Sequence, residues 1–309
     1  MNTTTTDSSL HSDHQMQEIP LRSAEIGNGT TIKRALPSRQ KRMIGAWCFL
    51  DHAGPVNFEK GQGLNVGPHP HIGLQTFTWM IEGTLMHHDS IGSAQLIQPK
   101  QVNLMTAGHG ISHTEVAPSE ETKLHAAQLW IALPDHLLNM PPKFQHYPEL
   151  PTHTQDNLEF TILVGDFFGK HAPVEVYTPL LGVDIAATTA AKTHLRLNPS
   201  FEHAVLLLEG SAKINDHVLH MDNMFVLPQG FTELNIELAE NSRILLIGGE
   251  PFETPVLLWW NLVGRTEDEL RQANQDWLNQ HARFGTIPSY TGARLEAPPF
   301  PAHIKGAAS

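Results

Sequence analysis

Two short patterns contain the residues of this sequence best suited to chemistry. His69 and His71 are two positions apart, and so are His113 and Glu115. In an extended strand, residues two positions apart point to the same face of the sheet. Two such pairs on neighbouring strands would bring three imidazoles and one carboxylate together. The spacing therefore predicts that these four side chains are the ligands of one metal ion.

The types of these ligands narrow the choice of metal. Imidazoles and a carboxylate suit first-row divalent ions, so Fe(II), Mn, Ni, Co, Cu and Zn are all open. The set contains no thiolate, which distinguishes it from a closed structural zinc site. Four protein ligands leave two positions of an octahedron for water, O2 or a bidentate substrate. Glu115 is the ligand expected to loosen and act as a catalytic general base, for instance on an enol or phenol proton.

Three further histidines lie close to these pairs in the sequence. His87 and His88 are adjacent, and His109 lies between Gly108 and Gly110. Adjacent strand residues point to opposite faces, so at most one of His87 and His88 can face the pocket. His109 is a candidate for the pocket rim, and His87 or His109 could form a hydrogen bond to one of the metal ligands. A solvent-exposed loop is the favoured interpretation of each.

The elements that must position these residues are predicted to be short strands. Gly and Pro are frequent, and apolar pieces of about four to eight residues alternate with turn signals. This pattern is clear at residues 43–50, 76–81, 124–133, 160–167 and 204–208. It predicts an all-β fold of the sandwich or barrel type.

One helix is predicted near the end of the chain, at about residues 266–282. Thr266 and Glu269 have the spacing of a capping box. Leu270, Ala273 and Trp277 follow at helical spacing, which predicts a helix that packs on a sheet and has a structural role.

A weak internal repeat divides the chain into two related halves. Residues 80–84 (MIEGT) resemble residues 207–211 (LLEGS), and an apolar strand and a Gly-containing turn follow both. Repeated units of this size predict two tandem antiparallel β-barrels. The predicted domains are a disordered tail at residues 1–18, a metal-binding barrel at 19–148, and a second barrel without metal at 149–309.

The second copy carries other residues at the positions that correspond to the metal ligands. Offsets counted from the repeated glycines lead to Arg196, Asn198, Glu233 and Asn235. This set is unsuited to the same site, so the sequence predicts one metal site per chain, in the first half.

Charge and cysteine content limit the partners and the compartment. The net charge of −12 disfavours direct contact with nucleic acid, whose binding depends on Lys and Arg. The single cysteine, Cys48, excludes an intramolecular disulfide and fits a reducing compartment. The most apolar run, residues 255–260, is far shorter than the roughly 20 residues of a membrane span. With no signal peptide in the first twenty residues, we expect a cytoplasmic protein without a membrane anchor.

Several motifs together resemble the pirin family, in the bicupin branch of the cupin superfamily. They are residues 34–37 (RALP), 49–55 (FLDHAGP), 68–76 (PHPHIGLQT), 105–115 (MTAGHGISHTE), 129–130 (LW), 249–251 (GEP) and 259–260 (WW). The resemblance runs from about residue 32 to residue 285. It implies two antiparallel double-stranded β-helix barrels, face to face. It also implies an N-terminal metal, usually iron, held by the residues that match His69, His71, His113 and Glu115.

The resemblance implies two alternative functions. Some members of the family show quercetin 2,3-dioxygenase activity, in which O2 cleaves a flavonol ring and carbon monoxide is released. Others are described as redox-sensing regulators that bind a transcription factor or a metabolic enzyme. We therefore expect a dioxygenase, most readily with Fe(II), that uses a flavonol-like substrate and O2. The alternative is a non-catalytic regulator that acts through a protein partner.

The sequence departs from the family pattern at two positions beside the predicted ligands. Ile72 stands where Arg is common, and Gln75 stands where Glu is common. Gln75 is a poorer ligand than Glu and is left out of the predicted metal site. The pocket is thus expected to be less acidic than in some relatives.

Two barrels in one chain supply the pairing that many single-barrel cupins obtain by dimerising, so a monomer is expected.

Overall fold

The computed structural model describes residues 15–252 and 254–304. Residues 1–14, most of the predicted tail, lie outside the described residues. A strand, β1 (Gln17–Pro20), begins inside the predicted tail, and its Ile19 pairs with Met224 of the second half. Burial of the Ile19 side chain between the two halves explains why this segment is ordered.

The first half of the chain forms two antiparallel sheets. Its strands are β2 (Arg22–Ile26), β3 (Thr30–Leu36), β4 (Trp47–Asn57), β5 (Asn65–His71), β6 (Leu74–Gly83), β7 (Leu85–Asp89), β8 (Ala94–Ile97), β9 (Val102–Thr106), β10 (Ile111–Val116), β11 (Lys123–Ala132) and β12 (Lys143–Tyr147). Within the described residues, one sheet has the order β12-β9-β6-β11-β4-β3-β2 and the other β5-β10-β7-β8. Ile32, Met80 and Leu85 share a core cluster drawn from both sheets. This half is therefore a sandwich of two sheets and not one closed barrel.

The second half repeats this architecture. Its strands are β13 (Thr152–Gln155), β14 (Leu158–Val164), β15 (Asp166–Phe167), β16 (Lys170–His171), β17 (Leu180–Ala187), β18 (Ala191–Arg196), β19 (Glu202–Glu209), β20 (Ala212–Ile214), β21 (His217–Leu219), β22 (Asn223–Leu227), β23 (Glu233–Leu238) and β24 (Ser242–Gly249). The larger sheet has the order β1-β22-β19-β24-β17-β14-β13, and the smaller one β18-β23-β20-β21. A short hairpin pairs β15 with β16. The N-terminal strand thus completes the sheet of the opposite half.

A hairpin and a helix near the C-terminus pack beside the first half. The hairpin is β25 (Leu257–Trp259) and β26 (Leu262–Gly264), and the helix is α1 (Glu267–Leu278). Short 3-10 turns lie at Asp135–Leu137 and Ala282–Phe284. The predicted capping box of α1 is present, with the Thr266 hydroxyl accepting from the Glu269 N–H. The described part of the chain has no helix with the length and apolarity that a membrane span needs.

The two large sheets pack against each other to form the core between the halves. Trp47 is buried in this core, and its Nε1–H reaches the carbonyl oxygens of Leu181 and Gly248, each at 3.2 Å. Trp79 donates to Asp184 Oδ2 at 3.0 Å, again from the first half to the second. Alternate residues of these strands face this core, and the others face the interior of their own sandwich. Among the described residues, the predicted all-β fold of two related halves with one helix near the C-terminus is confirmed.

Candidate metal centre

The pairing of β5 with β10 brings the three predicted histidine ligands together. His113 lies directly opposite His69 in the antiparallel register, and His71 follows two residues later on the same face. Their ligand nitrogens all lie within 4.8 Å of one another. In the described residues, no other group of three or more His, Cys, Asp or Glu side chains comes together in this way.

Hydrogen bonds behind two of the rings determine which nitrogen faces the centre. His69 Nδ1 lies 2.9 Å from the carbonyl oxygen of Gly67, and His71 Nδ1 lies 2.9 Å from that of Asn261. A carbonyl oxygen only accepts, so each Nδ1 carries the proton and donates it. Each Nε2 then presents a lone pair to the centre.

Burial keeps these imidazoles neutral. Desolvation lowers the pKa of His69 to about 4. It also lowers the pKa of His71 and His113 well below the ordinary value, and the neighbouring imidazoles add to the effect. At pH 7 the three rings are therefore available as neutral ligands, without first losing a proton.

The spacing of the nitrogens fits a metal ion. Two nitrogens about 2.1 Å from one ion, at an angle of about 90–110°, lie about 3.0–3.4 Å apart. His71 Nε2 and His113 Nε2 are 3.1 Å apart. Two lone pairs this close repel each other, and a cation between them removes the repulsion. The donor set and its spacing therefore fit a first-row divalent ion.

Glu115 lies beside the three histidines but outside their cluster. Its side chain lines the same cavity, yet it is not among the groups whose ligand atoms all lie within 4.8 Å of one another. The register of β10 against β5 shifts between His113 and Glu115, which changes the direction of the second side chain. Glu115 retains some solvent exposure, but desolvation by the surrounding protein raises its pKa to about 7. The Thr78 hydroxyl, 3.4 Å away, opposes this shift only weakly.

The histidines line a cavity of about 340 Å³. Four of its side chains form a continuous column. Arg34 lies over the Phe49 ring at 4.4 Å, Phe49 stacks on Trp130 at 3.9 Å, and Trp130 meets the His71 ring edge-on at 5.0 Å. Arg34 also forms a two-point ion pair with Asp51, with both N–O distances 2.6 Å. The cavity thus joins a nitrogen-lined centre to a wall of stacked aromatic rings and an arginine.

The C-terminal hairpin completes the cavity. Trp260 and Asn261, in the turn between β25 and β26, both line it. Trp260 has a φ of 52°, an uncommon backbone conformation for a tryptophan. The N–H of Val263 donates to the carbonyl of Ile72 at 3.1 Å, which ties the hairpin to the end of β5. Asn261, whose carbonyl orients His71, is therefore 190 positions away in the sequence. No pattern near His71 indicates this partner.

The other candidate residues lie in different environments. His87 is buried and its Nδ1 is 3.3 Å from His113 Nδ1, so its interpretation as an exposed loop residue was wrong. His88 faces the other side of β7 and is half-buried, and His109 is exposed and not among the residues that line the cavity. Gln75 donates to Thr106 and to a carbonyl oxygen of the second half, and it does not face the histidines.

The second half has an apolar interior where the first half has its histidines. Leu195, in β18, and Leu197, just after it, are buried in this interior together with Leu234 and Ile236 of β23. The positions obtained by counting offsets are exposed instead: Arg196, Asn198, Glu233 and Asn235. The counting was one residue out of phase, which exchanges the two faces of a strand.

Two facing all-β sandwiches, with a three-histidine centre in the first, define a bicupin. The Pirin family model matches residues 29–131, and the model of the Pirin C-terminal cupin domain matches residues 182–285. The chain belongs to the pirin family, as its motifs predicted.

Similar proteins support this assignment over nearly the whole chain. A Pseudomonas aeruginosa protein named "Putative quercetin 2,3-dioxygenase" is 49% identical, and the match covers 94% of this chain and 92% of that protein. A pirin-like protein of Caulobacter vibrioides is 34% identical over 83% of this chain and 90% of its own length. The crystal structure of a quercetin 2,3-dioxygenase from Acinetobacter baumannii is 66% identical with a TM-score of 0.93, covering 94% of this chain and 97% of that one.

Proposed function

We propose that this chain is a metal-dependent dioxygenase that cleaves quercetin or a related flavonol with O2, with Fe(II) as the preferred metal. The observation that carries the proposal is the convergence of three neutral imidazoles on one point of an aromatic-walled cavity. The names of two relatives, at 49% and 66% identity, point to the same activity.

The ligands of the proposed site are His69, His71 and His113, with Glu115 as the fourth. A metal ion held there would supply the Lewis acidity and the open coordination positions that this oxidation requires. Glu115 is also the proposed catalytic base. Its side chain lines the cavity beside the histidines, so a carboxylate there could accept the proton of a flavonol hydroxyl.

The cavity suits a flat aromatic substrate of modest size. Its volume of about 340 Å³ is at the lower end of the range of about 300–1,000 Å³ for small-molecule sites. The wall formed by Phe49 and Trp130 starts beside His71, so a planar ring system can lie along it while one end reaches the histidines. Arg34, at the other end of the column, can hold a hydroxyl or phenolate group of the substrate.

The proposed reaction is balanced without another reactant. Both atoms of O2 enter the ring-opened ester. One ring carbon leaves with its own oxygen as carbon monoxide. The proton that Glu115 removes from the substrate hydroxyl returns to the product.

Metal reconstitution tests this proposal. Metal-free protein is loaded anaerobically with Fe(II), Mn, Ni, Co, Cu or Zn, the bound metal is measured, and O2 uptake with quercetin is recorded. We expect one metal per chain and O2 uptake equal to the quercetin consumed. His113→Ala should lose about 100-fold or more of the activity. His109→Ala, the same change at an exposed position, should keep it.

One result separates this function from the regulatory alternative. Protein that holds one metal per chain and consumes no O2 with any flavonol would contradict the dioxygenase proposal. It would favour a non-catalytic role, in which the metal acts on a protein partner.

A further inference from the structure

A chain of buried polar contacts starts at His113 and leads away from the centre. His113 Nδ1 lies 3.3 Å from His87 Nδ1, and His87 Nε2 lies 3.1 Å from Asp89 Oδ2. The pairing of β10 with β7 brings these residues together, because His113 lies opposite Asp89 in the register. All three residues are at most 4% exposed, so water does not compete for these bonds.

Each member of the chain is held in place. Asp89 Oδ1 accepts the backbone N–H groups of Ile91 at 3.1 Å and Ser93 at 2.9 Å, which leaves Oδ2 to face His87. The His87 ring stacks on Phe144 with centroids 4.4 Å apart and an angle of 20°. The carboxylate and the intermediate ring therefore have fixed orientations.

The chemistry of these groups sets the direction of every bond. An ionised carboxylate only accepts, so His87 Nε2 must carry a proton and donate it to Asp89. A neutral imidazole carries one proton, so His87 Nδ1 has a lone pair and accepts from His113 Nδ1–H. His113 Nε2 is then free of a proton and presents its lone pair to the centre. The reverse tautomer would place a proton where the metal ligand is required.

We propose that Asp89 and His87 are positioning residues that fix His113 in its metal-binding tautomer. Backbone carbonyls do this for His69 and His71, but His113 depends on two side chains. The role in metal binding rests on the proposed function, whereas the tautomer of His113 does not. Asp89, His87 and His113 thus form a relay. The direction of the hydrogen bond between Asp89 and His87 determines which nitrogen of His113 carries the proton.

Asp89→Asn tests the relay with almost no change of shape. The N–H groups of Ile91 and Ser93 hold the amide oxygen in place of Oδ1, so the NH2 group faces His87. His87 Nε2 must then accept, its proton moves to Nδ1, and His113 Nδ1 becomes the acceptor. The proton of His113 is forced onto Nε2. We expect the metal affinity to fall about 10- to 100-fold.

The direct readout is the tautomer of His113 in metal-free protein, measured by long-range ¹H–¹⁵N NMR. Wild type should show a protonated Nδ1, and Asp89→Asn a protonated Nε2. Metal affinity is measured in parallel by competition with a chelator. An unchanged tautomer together with unchanged affinity in Asp89→Asn would overturn the proposal. Because these measurements need no turnover, they are independent of whether a flavonol is cleaved.

Two variants of His87 keep the test decisive if Asp89→Asn does not fold. His87→Asn keeps an acceptor near the position of Nδ1 and should bind metal almost as well as wild type. His87→Phe keeps the stacking on Phe144 but has no acceptor, and it should lose affinity about tenfold or more. His88→Asn, on the other face of β7, is the matched control and should have no effect. Equal affinity in His87→Asn and His87→Phe would contradict the relay.

Discussion

Metal binding should release a proton from Glu115. In the metal-free protein the pKa of Glu115 is raised to about 7, so at pH 6 about 0.9 of a proton is bound to it. The three histidines are already neutral and contribute no proton. A metal that takes Glu115 as a ligand must displace this proton. We therefore expect about 0.9 proton released per metal ion at pH 6 and about 0.1 at pH 8.

Calorimetry in buffers with different ionisation enthalpies measures this number directly. Ni(II) or Co(II) is titrated into metal-free wild type and into Glu115→Gln at both pH values. Glu115→Gln has no carboxyl proton, so the protons that this variant releases at pH 6 come from metal-bound water. Their number is subtracted from the number that wild type releases. Equal proton release from the two proteins at pH 6 would refute the assignment of Glu115 as a ligand.

Three further changes test the account of stability. Arg34→Met leaves the Asp51 carboxylate buried without its partner, so denaturant titration should show a loss of about 3 kcal/mol, most of which Arg34→Met/Asp51→Leu should restore. His203 is fully buried, its ring nitrogens have no hydrogen-bond partner among the described residues, and burial lowers its pKa to about 4. Because unfolding lets His203 take up a proton below pH 6.5, the stability lost between pH 7 and pH 5 should be about 2 kcal/mol smaller in His203→Leu, and an unchanged difference would contradict this account. Thr266→Ala should cost about 1 kcal/mol through loss of the helix cap, whereas Thr266→Ser should be nearly neutral.

The proximity of the three histidines could be predicted because it depends on local rules. The i, i+2 spacing places His69 and His71 on one face of a strand, and antiparallel pairing then brings His113 opposite His69. The strands were recognisable from alternation and turn signals, and the helix from its capping box. Each of these features depends on a few consecutive residues.

The surroundings of the site could not be predicted because they depend on long-range register. His87 contacts His113 only because β7 pairs with β10, and nothing in the sequence near His87 specifies that partner. The carbonyl of Asn261 reaches His71 from the C-terminal hairpin. The phase error in the second half has the same origin, because a repeat matched at one glycine does not fix which face of a distant strand is buried.

The products formed under ¹⁸O2 test the central claim most directly. Metal-loaded protein is incubated with quercetin, and the ring-opened ester and the released gas are analysed by mass spectrometry. The account predicts two ¹⁸O atoms in each ester molecule and unlabelled carbon monoxide in equal amount, with neither product formed by His113→Ala. An ester with one or no ¹⁸O atom, or quercetin loss without carbon monoxide, would contradict dioxygenase cleavage at this centre.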